Sequence, residues 1–216
     1  MSAFAGITHL TFDCYGTLID WERGILDAIQ PILARHQVNA TPEMILRGFV
    51  EHEAALERLP WRSYRTILTE VMVRIASDFN LTLTDQERAT LVNTLPQWRP
   101  FWDTVAALRK LDARFRLVVL SNVDDDLFLK TEKQLGIRFD VVITAEQVRS
   151  YKPDPGHFRE ALRRLQVPGA QVLHVAQSLY HDHVPARQFG FRTARIKRPS
   201  LLVETGLAPA PRLPVT

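Results

Sequence analysis

The run Leu10-Thr11-Phe12-Asp13-Cys14-Tyr15-Gly16-Thr17-Leu18 constrains this chain more than any other stretch. Residues 7–13 are β-prone and mostly apolar, and Gly16-Thr17 breaks them, so a buried strand is expected to enter a tight turn. A carboxylate at the last residue of such a strand faces the crevice beyond its carboxyl end, where open α/β folds place ligands. The blander alternative is an Asp13 that only caps a turn. It loses ground because three further polar groups each follow their own predicted strand: Ser121-Asn122, Lys152-Pro153, and Asp182 within Gln177-Ser178-Leu179-Tyr180-His181-Asp182.

Composition narrows the class. The 216 residues hold one α/β domain of ordinary size plus an insert, with a real core. No apolar run approaches the roughly 20 residues that span a bilayer, so no membrane partner is expected. No signal peptide is visible, because Asp13 interrupts the first apolar stretch and no basic region precedes it. A single cysteine excludes an internal disulfide and fits a reducing cytoplasm. Cys14 alternates to the side opposite Asp13 and reads as packing. The net charge of +3 comes without an arginine-rich tract bearing interleaved aromatics. Nucleic acid is therefore not expected, and a small anionic substrate suits the sign.

From about Trp21 to about Leu95 the pattern is helical. Ile25, Ile29, Ile32 and Leu33 share a face, and Pro31 is expected to kink or end their helix. Thr41-Pro42 starts a second helix running to about Leu59. A third spans about Ser63 to Phe79, and Thr84-Asp85-Gln86-Glu87 signals a capped short one to about Thr94. Residues 96–100 are the expected return hinge. Beyond it, strands at 115–121, 139–144, 172–176 and 193–196 alternate with helices at 102–112, 124–135, 155–165 and about 180–189. Such alternation indicates a mostly parallel sheet covered on both faces. The expected division is a core of residues 1–20 and 96–216 with a helical block at 21–95, residues 199–216 forming an irregular tail.

Asp13-Cys14-Tyr15-Gly16-Thr17, Ser121-Asn122, Tyr151-Lys152-Pro153-Asp154 and His174 through Asp182 together resemble the haloacid dehalogenase-like superfamily. Order and spacing agree over nearly the whole chain. The resemblance implies a Rossmann-like core, an inserted helical cap domain and an aspartate nucleophile, Asp13. Phosphatases of that superfamily carry a second aspartate two residues after the nucleophile, where this chain has Tyr15. They also carry Gly-Asp ahead of the last Ser-Leu, where this chain has Ala176-Gln177. Losing a carboxylate weakens a site for Mg²⁺, which wants hard anionic oxygens. The Asp-x-Tyr-Gly-Thr form is similar to L-2-haloacid dehalogenases, which need no cofactor. The expected activity is therefore metal-free dehalogenation of a short 2-haloalkanoic acid through an aspartyl ester. The alternatives are a Mg²⁺-dependent phosphatase and a non-catalytic binding protein of the same fold.

The roles follow from the chemistry. Lys152 would keep Asp13 ionised, since an opposite charge within about 4–6 Å lowers an Asp pKa by roughly 1–3 units. Asp182 would orient Lys152 or the hydrolytic water, and Thr17 would hydrogen-bond the nucleophile. Ser121 and the backbone at Asn122 would bind the substrate carboxylate, with Tyr15, Gln177 and Ser178 lining the pocket. The family's cap arginine has candidates in Arg47, Arg58, Arg62 and Arg65. The last motif appears one residue off the family's length. His174, His181 and His183 bring no ligand cluster beyond Asp182, so a histidine metal site is not expected. Relatives of this kind are often dimers, which makes a homodimer the expectation.

Overall fold

β1 (His9–Phe12) is the central strand of a five-stranded, all-parallel sheet in the computed structural model, which describes residues 4–202. Its neighbours are β2 (Arg116–Ser121) and β4 (Val172–Ala176), with β3 (Val141–Thr144) and β5 (Arg192–Arg195) at the edges. The chain therefore winds one way from β1 through β2 to β3 and then returns to the far side of β1. The crevice at that reversal, beyond the carboxyl ends of β1 and β4, is where such sheets place ligands.

Strand alternation divides the core in two. Leu10, Phe12, Leu117, Val119, Leu173 and Val175 join one apolar cluster, and Val118, Leu120, Ile143 and Val172 join another. The first face is covered by α6 (Thr104–Asp112) and α7 (Asp125–Leu135) through Leu108, Leu127, Phe128 and Leu135. The second is covered by α9 (Gly156–Leu165) and α10 (Val184–Gln188) through Phe158, Ala161 and Ala186. α8 (Ala145–Val148), a single turn capped by Thr144, lies between β3 and α9 and has no counterpart among the expected elements. Cys14 is fully buried in the first cluster, as strand alternation required.

The helical insert comprises α1 (Trp21–Arg35), α2 (Pro42–Glu57), α3 (Tyr64–Asp78), α4 (Asp85–Arg88) and α5 (Thr90–Thr94). Thr84 and Glu87 form the expected capping box. Pro31 does not end α1, which continues to Arg35. Pro31 and Asp27 are both on the exposed side of the helix, so the carbonyl deprived of its donor lies on the solvent side. The two ends of the insert are tied together: the Asp20 amide donates to the Arg99 carbonyl at 2.9 Å and the Phe101 amide to the Leu18 carbonyl at 3.0 Å. Of the expected tail, residues 199–202 carry no helix or strand, yet Ser200 and Leu201 both hydrogen-bond Glu22. Residues 203–216 lie outside the described residues.

Gly24 shows how closely insert and hinge fit. A methyl group there would collide with the indole of Trp98. Gly24→Ala should therefore destabilise the protein by about 1–3 kcal/mol despite alanine's better helix propensity. The measurement is urea unfolding, with a lower midpoint and an unchanged slope expected.

Candidate active site

Asp13 follows β1 directly, and its amide still donates to the Val175 carbonyl of β4 at 3.2 Å. Its side chain lies over the crevice. Thr17, held by the turn at Gly16 (φ 93°), donates its hydroxyl to Asp13 Oδ2 at 2.7 Å. The same hydroxyl oxygen accepts the Gln177 amide at 3.0 Å, which couples the turn after β1 to the turn after β4.

Lys152 enters from the loop between α8 and α9. Its Nζ is 2.8 Å from Asp13 Oδ1, 2.7 Å from Asp182 Oδ1 and 2.9 Å from the Leu120 carbonyl. An ammonium has three protons, and here all three are committed. Asn122 fixes the lysine backbone: its Oδ1 accepts the Lys152 amide at 2.7 Å and its Nδ2 donates to the Lys152 carbonyl at 3.2 Å. Asp182 is carried on a π turn, Leu179–His183, whose first turn is closed by the Ser178 hydroxyl accepting from the His181 amide. A π turn accommodates one extra residue.

Behind Asp182 stands His174, whose Nε2 is 3.0 Å from Asp182 Oδ1 and whose Nδ1 is 2.8 Å from Thr11 Oγ1. An ionised carboxylate only accepts, so Nε2 carries the proton. His174 is thus an orienting group for Asp182 rather than a metal ligand. Among the described residues no cluster of three or more His, Cys, Asp or Glu side chains could hold a metal ion.

The charges partition unevenly. Burial works against Lys152, but Asp13 and Asp182 outweigh it and hold the ammonium above the ordinary lysine range. Burial likewise opposes the Asp182 carboxylate, but Lys152 and the His174 hydrogen bond keep it below the usual range. Asp13 goes the other way. Burial pushes its carboxyl upward, Lys152 and Thr17 pull it back, and the charge on Asp182 adds to the rise. Lys152 does lower the Asp13 carboxyl, as expected, but burial outweighs it and Asp182 adds to the rise, so the net direction is upward.

These groups open into a cavity of about 150 Å³. Tyr15, Asn122, Gln177, Ser178 and His181 line it from the core, as do Asp13, Lys152 and Asp182. The Tyr15 hydroxyl is 2.9 Å from Thr131 Oγ1. Ser121 is fully buried just outside the wall, and its hydroxyl has no hydrogen-bond partner. The insert contributes Trp21, Phe49, Val50, Glu53, Glu57 and Tyr64, with Trp98 from the hinge. No arginine is among these residues. Arg47 pairs with Glu43 at 2.9 Å, Arg62 with Glu70 at 2.7 Å and Arg65 with Asp126 at 2.6 Å, and Arg58 is exposed. Arg47 is turned away because α2 presents a different face, Phe49-Val50-Glu53-Glu57, to the crevice, while Arg58 and Arg62 lie beyond the end of α2 and Arg65 lies on α3. Sequence reasoning missed Glu53 and Glu57. The signal was available: they continue the stripe of Leu46, Phe49 and Val50 at helical spacing, where a solvent-facing charge does not belong.

The chain matches the haloacid dehalogenase-like hydrolase family over residues 7–189 and belongs to it. It is a hydrolase of that family. Among its relatives, the (S)-2-haloacid dehalogenase of Pseudomonas putida is 27% identical over 206 residues, covering 89% of this chain and 85% of that one. The crystal structure of the L-2-haloacid dehalogenase PA0810 superposes with a TM-score of 0.79 at 26% identity, covering 89% and 86% of the two chains. The Xanthobacter autotrophicus L-2-haloacid dehalogenase, solved with chloropropionic acid covalently bound, has the same fold, with a TM-score of 0.79 at 23% identity.

Replacing Lys152 with methionine tests the shared ammonium. It leaves Asp13 and Asp182 buried and facing each other without a counter-charge. Breaking a buried pair from one side costs about 3–5 kcal/mol, so K152M should lose stability on that scale in urea unfolding. A loss below about 1 kcal/mol, the scale of an exposed pair, would show that the ammonium does not hold the site together.

Proposed function

We propose that this hydrolase works without metal through an ester on Asp13, and that it displaces halide from the α-carbon of a short 2-halo carboxylic acid. The observation that carries the reading is the Asp13–Lys152–Asp182 arrangement, with Lys152 Nζ at 2.8 and 2.7 Å from the two carboxylates and Thr17 on the remaining Asp13 oxygen. In the first step an Asp13 oxygen attacks the α-carbon, the carbon–halogen bond breaks and halide leaves with the bonding pair. In the second, water adds to the Asp13 carboxyl carbon, the ester opens, and the 2-hydroxy acid and one proton are released. Lys152 and Thr17 are placed to stabilise the charge that returns to the Asp13 oxygens. Halide needs no proton to leave, so Tyr15 at the position of the phosphatase acid is no handicap.

The Mg²⁺-dependent alternative fits the donor set poorly. Asp182 Oδ1 already receives Lys152 and His174, position 177 offers an amide, and Tyr15 offers a buried phenol engaged with Thr131. The remaining carboxylate of the group, Asp13, is itself bonded to the ammonium, and Mg²⁺ is usually anchored by one or two carboxylates. The relatives' names, (S)-2- and L-2-haloacid dehalogenase, support the halo-acid substrate. The homodimer and the cytoplasmic location rest on the family resemblance and the single cysteine, and they belong to this proposal. Among the described residues no helix is long and apolar enough to cross a membrane.

Incubation with 2-chloropropionate in EDTA should release chloride and lactate in equal amounts, and Asp13→Asn should abolish the release. Single turnover in H₂¹⁸O should place the label in the peptide containing Asp13. Phosphate release from p-nitrophenyl phosphate that EDTA abolishes, without any halide release, would replace this reading by the phosphatase one.

A further inference from the structure

The carboxyl end of β2 has one backbone donor to spare. Its last two carbonyls are both taken by side chains from a single stretch of chain. Lys152 Nζ donates to the Leu120 carbonyl at 2.9 Å, and His157 Nε2 is 3.1 Å from the Ser121 carbonyl. Both polar ends of the Asn122 side chain are bound to the Lys152 backbone. The Asn122 backbone N–H, by contrast, has no hydrogen-bond partner among the described residues. Ser121 Oγ lacks one too, but Ser121 is not on the cavity wall, whereas Asn122 is.

Two features of the backbone fix the direction of that N–H. Along a strand, backbone polar groups alternate between the two edges. The Arg116 amide donates to the Thr8 carbonyl, on the β1 side, at 3.2 Å. Leu120 has the same parity, and its carbonyl meets the Lys152 Nζ that lies 2.8 Å from Asp13 Oδ1. Asn122 shares this parity. A trans peptide also sets each N–H opposite the preceding carbonyl. The Ser121 carbonyl is turned toward His157 on α9, so the Asn122 N–H is turned away from it, toward the Asp13 side of the crevice.

We propose that His157 is a positioning residue for the substrate's carboxylate: by holding the Ser121 carbonyl it aims the Asn122 N–H at that carboxylate. The proposal rests on the reading that the substrate is a short carboxylic acid. The imidazole is fully buried and off the cavity wall, so it acts through the peptide between Ser121 and Asn122.

The need for such a residue follows from the donors on offer. Lys152 is the one lysine or arginine on the wall among the described residues, and its three protons are spent. A carboxylate must then be met by neutral donors, and a neutral N–H is effective only when well aligned. The peptide at a strand end has no ladder to hold it. Here two donors hold its carbonyl, His157 Nε2 and the Val123 amide at 2.9 Å. They also polarise the peptide, which strengthens its N–H as a donor. The ring itself is set up for this task. A carbonyl only accepts, so Nε2 carries the proton. Burial, aided by Lys152, lowers the imidazole to about 3, so the ring is neutral and has that one proton to give. Nδ1 has no partner, which leaves the Ser121 carbonyl as the ring's one hydrogen bond among the described residues. A buried polar ring with a bare nitrogen is a costly way to fill a core, and a phenyl ring would fill it without that cost.

Propionate is a suitable probe because it has no leaving group. Titrating it into the full chain labelled with ¹⁵N reads affinity and the Asn122 amide together, and that amide proton should move downfield as propionate binds. His157→Phe keeps a ring and drops the donor. It should raise the propionate dissociation constant about tenfold, the scale of one lost hydrogen bond, and remove the Asn122 response. His157→Gln places an amide nitrogen where Nε2 was. It should stay within about threefold of the wild type and keep the response, whereas His157→Asn, one bond too short, should resemble His157→Phe. With 2-chloropropionate, the same loss should fall on KM in His157→Phe, with kcat within about threefold of the wild type. An Asn122 amide that ignores propionate, no propionate binding to the wild type, or equal losses in the Gln and Phe variants would each overturn the role. If His157→Phe does not fold, the contrast between Gln and Asn decides in the same way. Halide release with an unchanged KM in His157→Phe sinks the positioning role alone. Propionate binding that depends on His157, without halide release, sinks the ester mechanism alone.

Discussion

The ammonium of Lys152 is the point on which the arrangement depends. It is 2% exposed, and its three protons go to side chains or carbonyls at the carboxyl ends of β1, β2 and the π turn after β4. A charge so placed is intolerable without partners, and two buried carboxylates are equally intolerable without it. Each of the three elements is therefore held in position by the others' need. The lysine backbone is fixed in turn by both ends of the Asn122 amide, so the β2 loop sets where the ammonium can be. Sheet order supplies the rest. With β1 between β2 and β4, the three loops have no choice but to meet over one crevice.

A second set of bonds keeps the carboxylates from collapsing symmetrically onto the lysine. Asp182 is anchored from the α9 face of the sheet by His174, itself held by Thr11 of the central strand. Asp13 has only Thr17 for its other oxygen. The result is a strong acceptor that stays low in pKa and a weaker one that burial raises. Two like groups around one cation are driven apart in this way whenever their other neighbours differ.

The sequence revealed the core side of this site well because each element there is local. An apolar run, a break and a polar residue mark Asp13, Ser121, Lys152 and Asp182 independently, and parallel strands bring such ends together by topology alone. The insert was legible as helices and caps, down to the Thr84–Glu87 box. Its contribution to the cavity was not. Whether Arg47 or Glu53 on one helix faces the crevice depends on how α2 seats over the sheet, and that is fixed by long-range packing of Phe49 and Leu46. A charge on a helix normally reads as solvated, and nothing local to Glu53 or Glu57 says otherwise. Pro31 does not end its helix for a related reason: the penalty of a helix-interior proline is set by what lies beside the orphaned carbonyl, and sequence does not show that side to be solvent.

Charge counting links the two walls. Before reaction the core wall carries one net negative charge, from two carboxylates and one ammonium. Within the proposed reaction, esterification of Asp13 removes that charge, and Lys152 is left paired with Asp182 alone. Halide carries the negative charge away from the nucleophile. The forward step is thus eased by the electrostatics of the empty site, since it relieves two buried carboxylates of competing for one cation. Hydrolysis restores the competition, and Lys152 is then already placed to receive the second carboxylate as it forms. This division leaves the insert free to differ. Within the proposed reaction the chemistry draws on the charges of the core wall alone. A chain about 26% identical to a dehalogenase of known structure can therefore keep the fold while presenting glutamates to the crevice.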